Sequence, residues 1–381
     1  MKKIVVIGPV PPYKGGLSHF NFSLVNELRK NNEVKEISWK RQYPKIIYPI
    51  DPISKSDEEK INHDNKFILD FYNPVTWLKA SRIIKKYSPD IIIFTWASPI
   101  TSIAYTTISK KTKNIEKLVI CHNVLQHEGT FIDSILRNMF FRSVDNFIVH
   151  SRNDLANIKS LTKSKNIALG FHPIYDKFKS ESKTFNKIKN TILFFGYIRE
   201  YKGLIYLIRA MPEIIKAIKI KLLIVGEFWE NKNILARLFT ILFTGRNRTG
   251  KSYYINEIER LGIKDYVDIV DCYVPDREVG KYFSRSDVLV LPYTSATQSG
   301  PLQIAYNFNI PVICTNVGGL PDVVGSDKTG FLVQPKDCKS LAKAVIRFYK
   351  EDKKKEFIAN IKNVKKKYSW SSYAKLIENF M

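Results

Sequence analysis

Residues 292–320 have the sequence PYTSATQSGPLQIAYNFNIPVICTNVGGL, and they follow a largely apolar run, 287–291, that is typical of a buried parallel strand. A polar loop over 293–300 comes next, without the period of a helix or a strand. Pro301 then stands at the first helical position behind a glycine, which is a common way for a helix to begin. A second apolar strand follows at 311–314. The stretch therefore predicts the order strand, loop, helix, strand of an α/β fold.

The loop of this unit lies at the carboxyl end of a strand and opens onto a helix N-terminus. Unpaired N–H groups and the helix dipole favour an anion there, which is why α/β proteins bind phosphate-bearing ligands at this position. An ordinary connection between a strand and a helix, without a ligand, explains the unit equally well.

The composition is that of a soluble globular chain, with 381 residues, 44% hydrophobic residues and a formal net charge of +25. The length suffices for two domains of ordinary size. Lysines spread through the whole chain supply much of the charge, which suits nucleic acid, an anionic membrane surface or an anionic substrate. Because we find no known nucleic-acid motif and no basic segment with interleaved aromatic residues, we expect no nucleic-acid partner.

The four cysteines, at 121, 272, 314 and 338, stand far apart and form no CxxC or Cys/His cluster. We therefore expect no metal site, no disulfide framework and no cofactor. The apolar run that follows Met1 is too short for a signal peptide, so we expect a cytoplasmic protein.

Two glycines and a histidine are the site candidates of the first half. Gly15 and Gly16 separate the first strand from a helix, where a backbone without side chains can approach a ligand closely. A tight turn explains the pair as well, and Ser18 is a plausible N-cap under either interpretation. His122 directly follows an apolar strand, 117–121, and is a candidate for a site. A histidine satisfied by backbone groups is the alternative.

The second half repeats the alternation of strands and helices. After a strand at 192–195, Arg199 and Lys202 fall in one loop, and two cations at a strand's carboxyl end suit a diphosphate. Two solvated charges in a basic protein are the alternative. A polar, Lys/Ser/Thr-rich stretch up to residue 190 marks the linker. The pattern predicts two Rossmann-like α/β domains facing one another.

Residues 229–252 combine a crowded apolar helix with the basic cluster 245–251. This composition predicts an interfacial anchor on anionic lipid, hence a peripheral protein of the inner membrane face. A helical hairpin packed on its own domain is the alternative.

Several segments together resemble the family-4 retaining glycosyltransferases of the GT-B fold, in the branch that bears ATQSG. The resemblance covers nearly the whole chain, and its elements stand in the family's order. These elements are Gly15-Gly16, His122-Asn123, FGYIREYKG at 195–203, VGEFWE at 225–230, YVPD at 273–276, SDVLVLPY at 286–293, ATQSG at 296–300 and PVICTNVGGLPDVV at 311–324.

The resemblance implies an acceptor-binding domain at 1–175, a nucleotide-sugar-binding domain at 190–365, and a last helix at 366–381 that crosses back to the first domain. It implies transfer of a sugar, with retention, from a nucleotide-diphosphate sugar to a glycan or lipid-linked acceptor in cell-envelope polysaccharide synthesis. The catalytic residues that it implies are His122, Arg199 and Lys202. The donor-binding residues that it implies are Gly15, Gly16, Glu227, Tyr273, Gln298, Ser299, Gly300, Leu302 and Gln303.

The chain departs from the family pattern at two carboxylates. Ala296 and Ile304 occupy the positions where the family commonly has glutamates that contact the donor sugar and the ribose. Gln298 or Ser299 is then expected to contact the sugar. Tyr197 aligns with the family's common arginine, and Arg199 is the plausible substitute.

The missing glutamates keep other functions open. One is a nucleotide-sugar-binding subunit without chemistry in a glycosylation complex. Another is a hydrolysing epimerase on the same fold. No carboxylate stands where a nucleophile is expected, so the sequence does not support a double displacement. The resemblance implies front-face attack by the acceptor, with the leaving phosphate as the base. We expect Arg199, Lys202 and the 300–303 helix start, instead of a metal, to stabilise the developing charge.

Overall fold

The computed structural model describes residues 1–43, 66–125, 131–162, 166–176, 178, 190–229 and 250–381. Over these ranges the chain divides into two compact units. The first comprises Met1–Phe171 and Trp370–Met381, and the second comprises His172–Ser369. Each unit carries one parallel sheet, which confirms the prediction of two Rossmann-like α/β domains.

The first unit contains a seven-stranded sheet in the order β3-β2-β1-β4-β5-β6-β7. Its strands are β1 (Lys3–Ile7), β2 (Glu33–Arg41), β3 (Phe67–Asp70), β4 (Ile91–Trp96), β5 (Glu116–Cys121), β6 (Asn146–Val149) and β7 (Asn166–Leu169). Every residue of β4 and β6 is buried, as expected for strands covered on both faces. The strand order reverses between β1 and β4, so that loops on this edge open a crevice at a topological switch point.

The described residues of this unit form six α-helices. They are α1 (Gly16–Leu28), α2 (Pro74–Tyr87), α3 (Ser102–Lys111), α4 (Phe131–Phe141), α5 (Arg152–Leu161) and the last helix, α13 (Trp370–Glu378). The prediction that Ser18 caps α1 is wrong. Gly15 occupies the N-cap position with φ +104°, and Ser18 lies buried inside the first turn. The start is therefore set by a glycine conformation rather than by a side-chain cap.

The last helix packs on the first unit, as predicted. Trp370, Tyr373 and Ile377 of α13 join the core that contains Phe20 of α1. The Tyr373 hydroxyl lies 2.7 Å from Nε2 of the buried His150, at the end of β6. An apolar helix face and one buried polar contact thus attach the C-terminal helix to the first unit.

The second unit contains a six-stranded parallel sheet in the order β10-β9-β8-β11-β12-β13. Its strands are β8 (Thr191–Phe195), β9 (Lys221–Val225), β10 (Val267–Val270), β11 (Val288–Leu291), β12 (Val312–Thr315) and β13 (Gly330–Val333). Its helices are α6 (Leu204–Ala217), α7 (Lys251–Arg260), α8 (Asp276–Ser284), α9 (Gly300–Asn307), α10 (Leu320–Val323), α11 (Cys338–Lys350) and α12 (Lys354–Val364). The order reverses between β8 and β11, which places a second switch point there. No helix within the described ranges has the length and apolar character of a membrane span.

Candidate functional site

The loops that follow β8 and β11 meet at the switch point of the second sheet. The amide and the hydroxyl of Thr294 donate to the Tyr201 carbonyl at 2.7 and 3.2 Å. Gly203 has φ +65°, and a β-carbon there would stand 1.9 Å from the Pro292 carbonyl oxygen. Only glycine fits this approach, so the sequence itself holds the two loops together.

Lys202 lies buried between these loops, with 8% of its surface exposed. Its Nζ would stand 3.0 Å from a β-carbon on Gly196, and the Pro301 ring would stand 3.5 Å from the same position. The ammonium therefore lies between the end of β8 and the first turn of α9. Lys202 makes no ion pair with any residue that the structure describes. Burial, and secondarily the charge of Arg199, lowers the pKa of Lys202 to about 7.

The N-terminus of α9 begins at Gly300 and is capped by the buried Ser299. The Ser299 hydroxyl accepts from the Leu302 amide at 3.3 Å, and its carbonyl accepts from the Gln303 amide at the same distance. The 300–303 helix start was expected to stabilise the charge of the diphosphate, yet the Leu302 and Gln303 amides are already bonded to Ser299. The Gly300 amide has no acceptor among the described residues, so it is the donor best placed for an anion.

The Gln303 side chain is fully buried on the first turn of α9. Neither its Nε2 nor its Oε1 has a hydrogen-bond partner among the described residues. Leaving a buried polar group unpaired costs about 1–3 kcal/mol. A bound ligand that paired with this amide would recover that energy, which fits the predicted role of Gln303 in donor binding.

An aromatic cluster surrounds Arg199 beyond the ends of β8, β9 and β10. The Arg199 guanidinium lies 5.0 Å from the Trp229 ring and 5.1 Å from the Tyr201 ring. Tyr197 packs against Trp229 at 5.5 Å and against Tyr273 at 6.0 Å between ring centroids. Cation–π contacts of this kind orient a guanidinium and suit a neighbouring planar ligand. The structure thus brings together Arg199 and Tyr273, both of which were expected at the donor site.

Backbone pairing extends past β8 and β9 and fixes this cluster. The Ile198 amide donates to the Glu227 carbonyl at 2.9 Å, and the Trp229 amide donates to the Ile198 carbonyl at 3.0 Å. Glu227 is half-buried and lies in this extended pair. Glu227 thus lies just past the end of β9, and its role at a donor site stays a prediction. Residues 230–249 lie outside the described ranges.

Tyr175, the last residue of the predicted acceptor-binding domain, belongs to the second unit and lies beside the start of α9. A β-carbon on Gly300 would stand 3.4 Å from its ring. The Tyr175 hydroxyl lies 3.3 Å from Nε2 of His172, whose Nδ1 lies 2.9 Å from the Pro173 carbonyl. Since a carbonyl only accepts, Nδ1 carries the proton and Nε2 accepts from Tyr175. Burial lowers the pKa of His172 to about 4, so this imidazole is neutral at pH 7.

The two positions that lack glutamates are apolar and buried. Ala296 and Ile304 both belong to a core cluster of the second unit. A β-carbon on Gly318, which has φ +55°, would stand 1.6 Å from the Ala296 carbonyl, so this loop is clamped against the turn after β12. Gln298, which stands between these two positions in the sequence, is half-buried.

The first unit carries the remaining candidates at the carboxyl edge of its own sheet. Gly15 has open space where a β-carbon would project, and Gly16 begins α1. The His122 amide donates to the Trp96 carbonyl at 2.8 Å, and its ring stands edge-on to Phe20 at 4.4 Å. His122 is half-buried, so its ring packs on α1 while part of its surface stays accessible.

Two buried side chains that the sequence analysis did not single out position these candidates. Asn21 donates to the Pro9 carbonyl at 2.7 Å and to the Thr95 hydroxyl at 3.0 Å, which holds the loop before Gly15. Asp154 accepts from the Val124 amide at 3.4 Å and from the Ser151 hydroxyl at 2.8 Å. Burial raises the pKa of Asp154 to about 6. A single Asn or Asp gives no signal in the sequence, because its partner is distant along the chain.

These features define a protein of two Rossmann-like domains with two cationic side chains, Arg199 and Lys202, at the carboxyl edge of its second sheet. The model of the glycosyl transferases group 1 family matches residues 176–366, about half of the chain. The chain belongs to this family. The resemblance to glycosyltransferases is thereby confirmed at this level, and the narrower assignment to the ATQSG-bearing branch of family 4 stays a prediction.

Individual relatives agree with the family. The uncharacterized glycosyltransferase MJ1607 of Methanocaldococcus jannaschii is 30% identical over 186 residues, which cover 48% of this chain and 42% of that protein. The O-antigen chain mannosyltransferase B of Escherichia coli is 28% identical over 102 residues, or 26% of each chain. The chain thus matches less than half of the length of these relatives.

A solved structure supports the fold. Anabaena Alr3699/HepE, determined in complex with UDP, has a TM-score of 0.70 at 14% identity over 99% of this chain and 98% of that chain. At this identity the likeness shows the fold, which is the GT-B fold of glycosyltransferases.

Proposed function

We propose that the protein transfers a sugar from a nucleotide-diphosphate sugar to a glycan or lipid-linked acceptor, with retention and without a metal, in cell-envelope polysaccharide synthesis. Family membership supports the reaction class. The likeness to an O-antigen chain mannosyltransferase supports the envelope pathway. One observation carries the proposal. Lys202 is buried beside the start of α9 and makes no ion pair with any described residue.

Lys202, Arg199 and the Gly300 amide form the proposed diphosphate site. A buried lysine without a carboxylate is unfavourable in the free protein, and an anionic ligand relieves this. Arg199 adds a planar, bidentate donor. Positive groups fixed in advance stabilise the charge that develops on a leaving diphosphate.

In the proposed reaction the bond between the anomeric carbon and the diphosphate oxygen breaks, and its electron pair leaves with the diphosphate. The acceptor hydroxyl forms the new bond on the same face. Its proton passes to the leaving phosphate oxygen. Lys202 and Arg199 hold that phosphate throughout, so no enzymic carboxylate is needed as a nucleophile.

The other candidates keep the roles that the family resemblance implies. Glu227 and Tyr273 bind the nucleoside, with Trp229 and Tyr197 as aromatic walls. Gln298, Ser299 and Gln303 contact the sugar and the phosphates of the donor. Leu302 lies on the first turn of α9 beside them. On the first unit, His122 orients the donor sugar, and Gly15 and Gly16 offer backbone to the diphosphate.

A second candidate is a nucleotide-sugar-binding subunit without catalysis. The observation in its favour is that Ala296 and Ile304 are buried and apolar where the family commonly has glutamates. Hydrolysis or transfer by the purified chain alone distinguishes the two, because a binding subunit leaves the donor intact.

The proposal is tested by thermal shift of the purified chain with UDP-, GDP- and ADP-sugars in EDTA. We expect one nucleotide series to raise the melting temperature without added metal. The anomeric configuration of the product, read by NMR, then reports retention. A chain that none of the series stabilises, or whose product is inverted, contradicts the proposal.

We also propose a cytoplasmic location with peripheral attachment to the inner membrane face. The hydrophobic-then-basic order of residues 229–252 supports it, although 230–249 lie outside the described residues.

A further inference from the structure

Helix α4 of the first unit exposes an apolar ridge. Phe131, Ile132 and Ile135 are 81%, 65% and 52% exposed, respectively. The opposite face of the same helix buries Phe140, Phe141 and the charged Arg137. A surface helix of a soluble protein commonly buries its apolar side chains and exposes its charged ones, and α4 departs from this pattern. An exposed apolar ridge of this kind is typical of an interaction surface.

A basic cleft lies at the far end of the same helix. It has a cavity volume of about 760 Å³ between α3, α4 and the start of β5. Four cations line it: Lys110, Lys113, Lys117 and Arg142. The Lys117 ammonium donates to the carbonyls of Lys113 and Ile115, at 3.2 and 2.6 Å.

The cations of this cleft exceed its acids. Lys110, Lys113 and Arg142 are exposed and make no ion pair within the described part of the chain. Asp145 is the acidic residue that lines the cleft, and the nearby Glu116 carboxylate contacts the Asn146 side-chain amide. The cleft therefore keeps a surplus of unpaired positive charge that suits an anionic group.

The ridge and the cleft lie along one face of α4, which forms a continuous stripe. Ile135 lines the cleft as well as the ridge. Phe131, Ile135, Asn138 and Arg142 recur at spacings of four, three and four, so they share one face of α4 and its extension. At the rise of an α-helix the stripe is about 16 Å long. Apolar side chains at one end and cations at the other match the acyl boundary and the head groups of a membrane.

We propose that this face of the first unit docks on an anionic phospholipid membrane, with Phe131, Ile132 and Ile135 entering the interface and Lys110, Lys113 and Arg142 contacting lipid phosphates. Charge complementarity favours an anionic partner for the cations of the cleft. The apolar ridge favours a membrane over a nucleic acid, because a nucleic-acid backbone offers it no apolar surface. The contact is separate from residues 229–252. It would place the acceptor-binding unit at the surface where a lipid-linked acceptor resides.

The test is co-sedimentation of the full chain with vesicles of phosphatidylcholine alone or mixed with phosphatidylglycerol, at low salt. We expect binding only to the mixed vesicles and weakening at high salt, because salt screens surface charge. Phe131→Ser with Ile135→Ser should lower binding at least about tenfold, since it removes the inserted groups. Lys110→Ser with Arg142→Ser should lower it about twenty-five-fold, at about fivefold for each cation.

A matched control lies on α2, where Val75 and Lys79 are also exposed and stand one turn apart. Val75→Ser with Lys79→Ser should bind vesicles as the natural chain does. All variants should keep the natural melting temperature and the natural response to the nucleotide that stabilises the chain. This readout separates loss of docking from failure of the proposed function.

Three results would overturn the proposal. The full chain could ignore phosphatidylglycerol vesicles at low salt. The α4 variants could bind as well as the natural chain, while Arg246→Ser with Arg248→Ser abolishes binding. The α4 variants could instead abolish self-association in sedimentation velocity and leave vesicle binding intact, which would assign the ridge to a second copy of the chain.

Discussion

The Lys202 ammonium lies directly over Gly196, so that a β-carbon at Gly196 would stand 3.0 Å from Nζ. The glycine at the end of β8 therefore leaves the space in which the one buried cation of the proposed diphosphate site is held. Gly196 also has φ +100°, which L side chains rarely adopt. The backbone conformation requires glycine here, and a β-carbon would also oblige the end of the Lys202 side chain to shift by a few tenths of an ångström.

Gly196→Ala should weaken both folding and donor binding. The strained backbone should lower the free energy of unfolding by about 1–3 kcal/mol, and the methyl group should displace Lys202 from the diphosphate. Gly262→Ala is the matched control, because Gly262 has φ +66° with open space around it. Denaturant unfolding and calorimetric titration of the nucleotide measure the two effects. Equal nucleotide affinity in both variants would contradict the placement of Lys202.

Lys202→Met should stabilise the free protein at pH 6 while it weakens donor binding. The pKa of Lys202 is lowered to about 7 by burial, whereas an unfolded lysine titrates near 10.4. Between these values the unfolded chain binds more protons, so the natural chain gains stability as the pH rises from about 7 to about 10. The burial penalty is fully present below pH 7, where the methionine variant escapes it.

The measurement is the difference in unfolding free energy between the variant and the natural chain across this pH range. We expect the variant's advantage to exceed about 1 kcal/mol at pH 6, which corresponds to less than one pKa unit, and to fade toward pH 10. A constant difference would mean that Lys202 is not buried as a charge.

Trp229→Ala should lower nucleotide affinity by about tenfold, the scale of one partly desolvated cation–π contact with its aromatic surface. The Trp229 ring lies 5.0 Å from the Arg199 guanidinium and also packs against Tyr197. Trp229→Phe should keep most of the affinity. Tyr253→Ala removes an exposed ring elsewhere on the second unit and serves as the control. Unchanged titration curves for Trp229→Ala would remove the aromatic cluster from the donor site.

Asp154→Asn should flatten the pH dependence of stability between about pH 4 and 6. Burial raises the pKa of Asp154 to about 6, above the unfolded value of about 3.9. In this window the folded chain holds the extra proton, so the natural chain loses stability as the pH rises through it. Asparagine can still accept from the Val124 amide, whereas Asp154→Ala cannot and should also loosen the loop of His122. Thermal melts at pH 4 and pH 7 measure the effect, and a slope shared by all three chains would rule it out.

The buried parts of the fold followed from the sequence because the central strands are short, nearly continuous apolar runs. Strands such as β5, β8, β11 and β12 were predicted from such runs. Strand β2 was missed, because most of its residues are charged and only its middle is buried. Helix α6 continues through Pro212 to Ala217, although proline commonly ends a helix, since Ile214 still packs on the core.

A residue of the proposed site could be predicted only where a chemically suitable side chain stands in the loop directly after a strand. Arg199 and Lys202 met this condition, and so did His122. Tyr175 and Asp154 did not, because each acts on a residue distant in the chain, Gly300 and Val124 respectively. The engagement of the Leu302 amide by Ser299 depends on the cap geometry of α9, which the sequence pattern leaves open.

Turnover of the donor sugar in EDTA, by the natural chain and by Lys202→Ala, tests the central claim most directly. We expect full activity of the natural chain without metal. We expect a loss of about a hundredfold or more in a Lys202→Ala variant that melts normally, because a preorganised charge on the leaving diphosphate is removed. Strict dependence on manganese or magnesium, or normal transfer by the folded variant, would contradict the account.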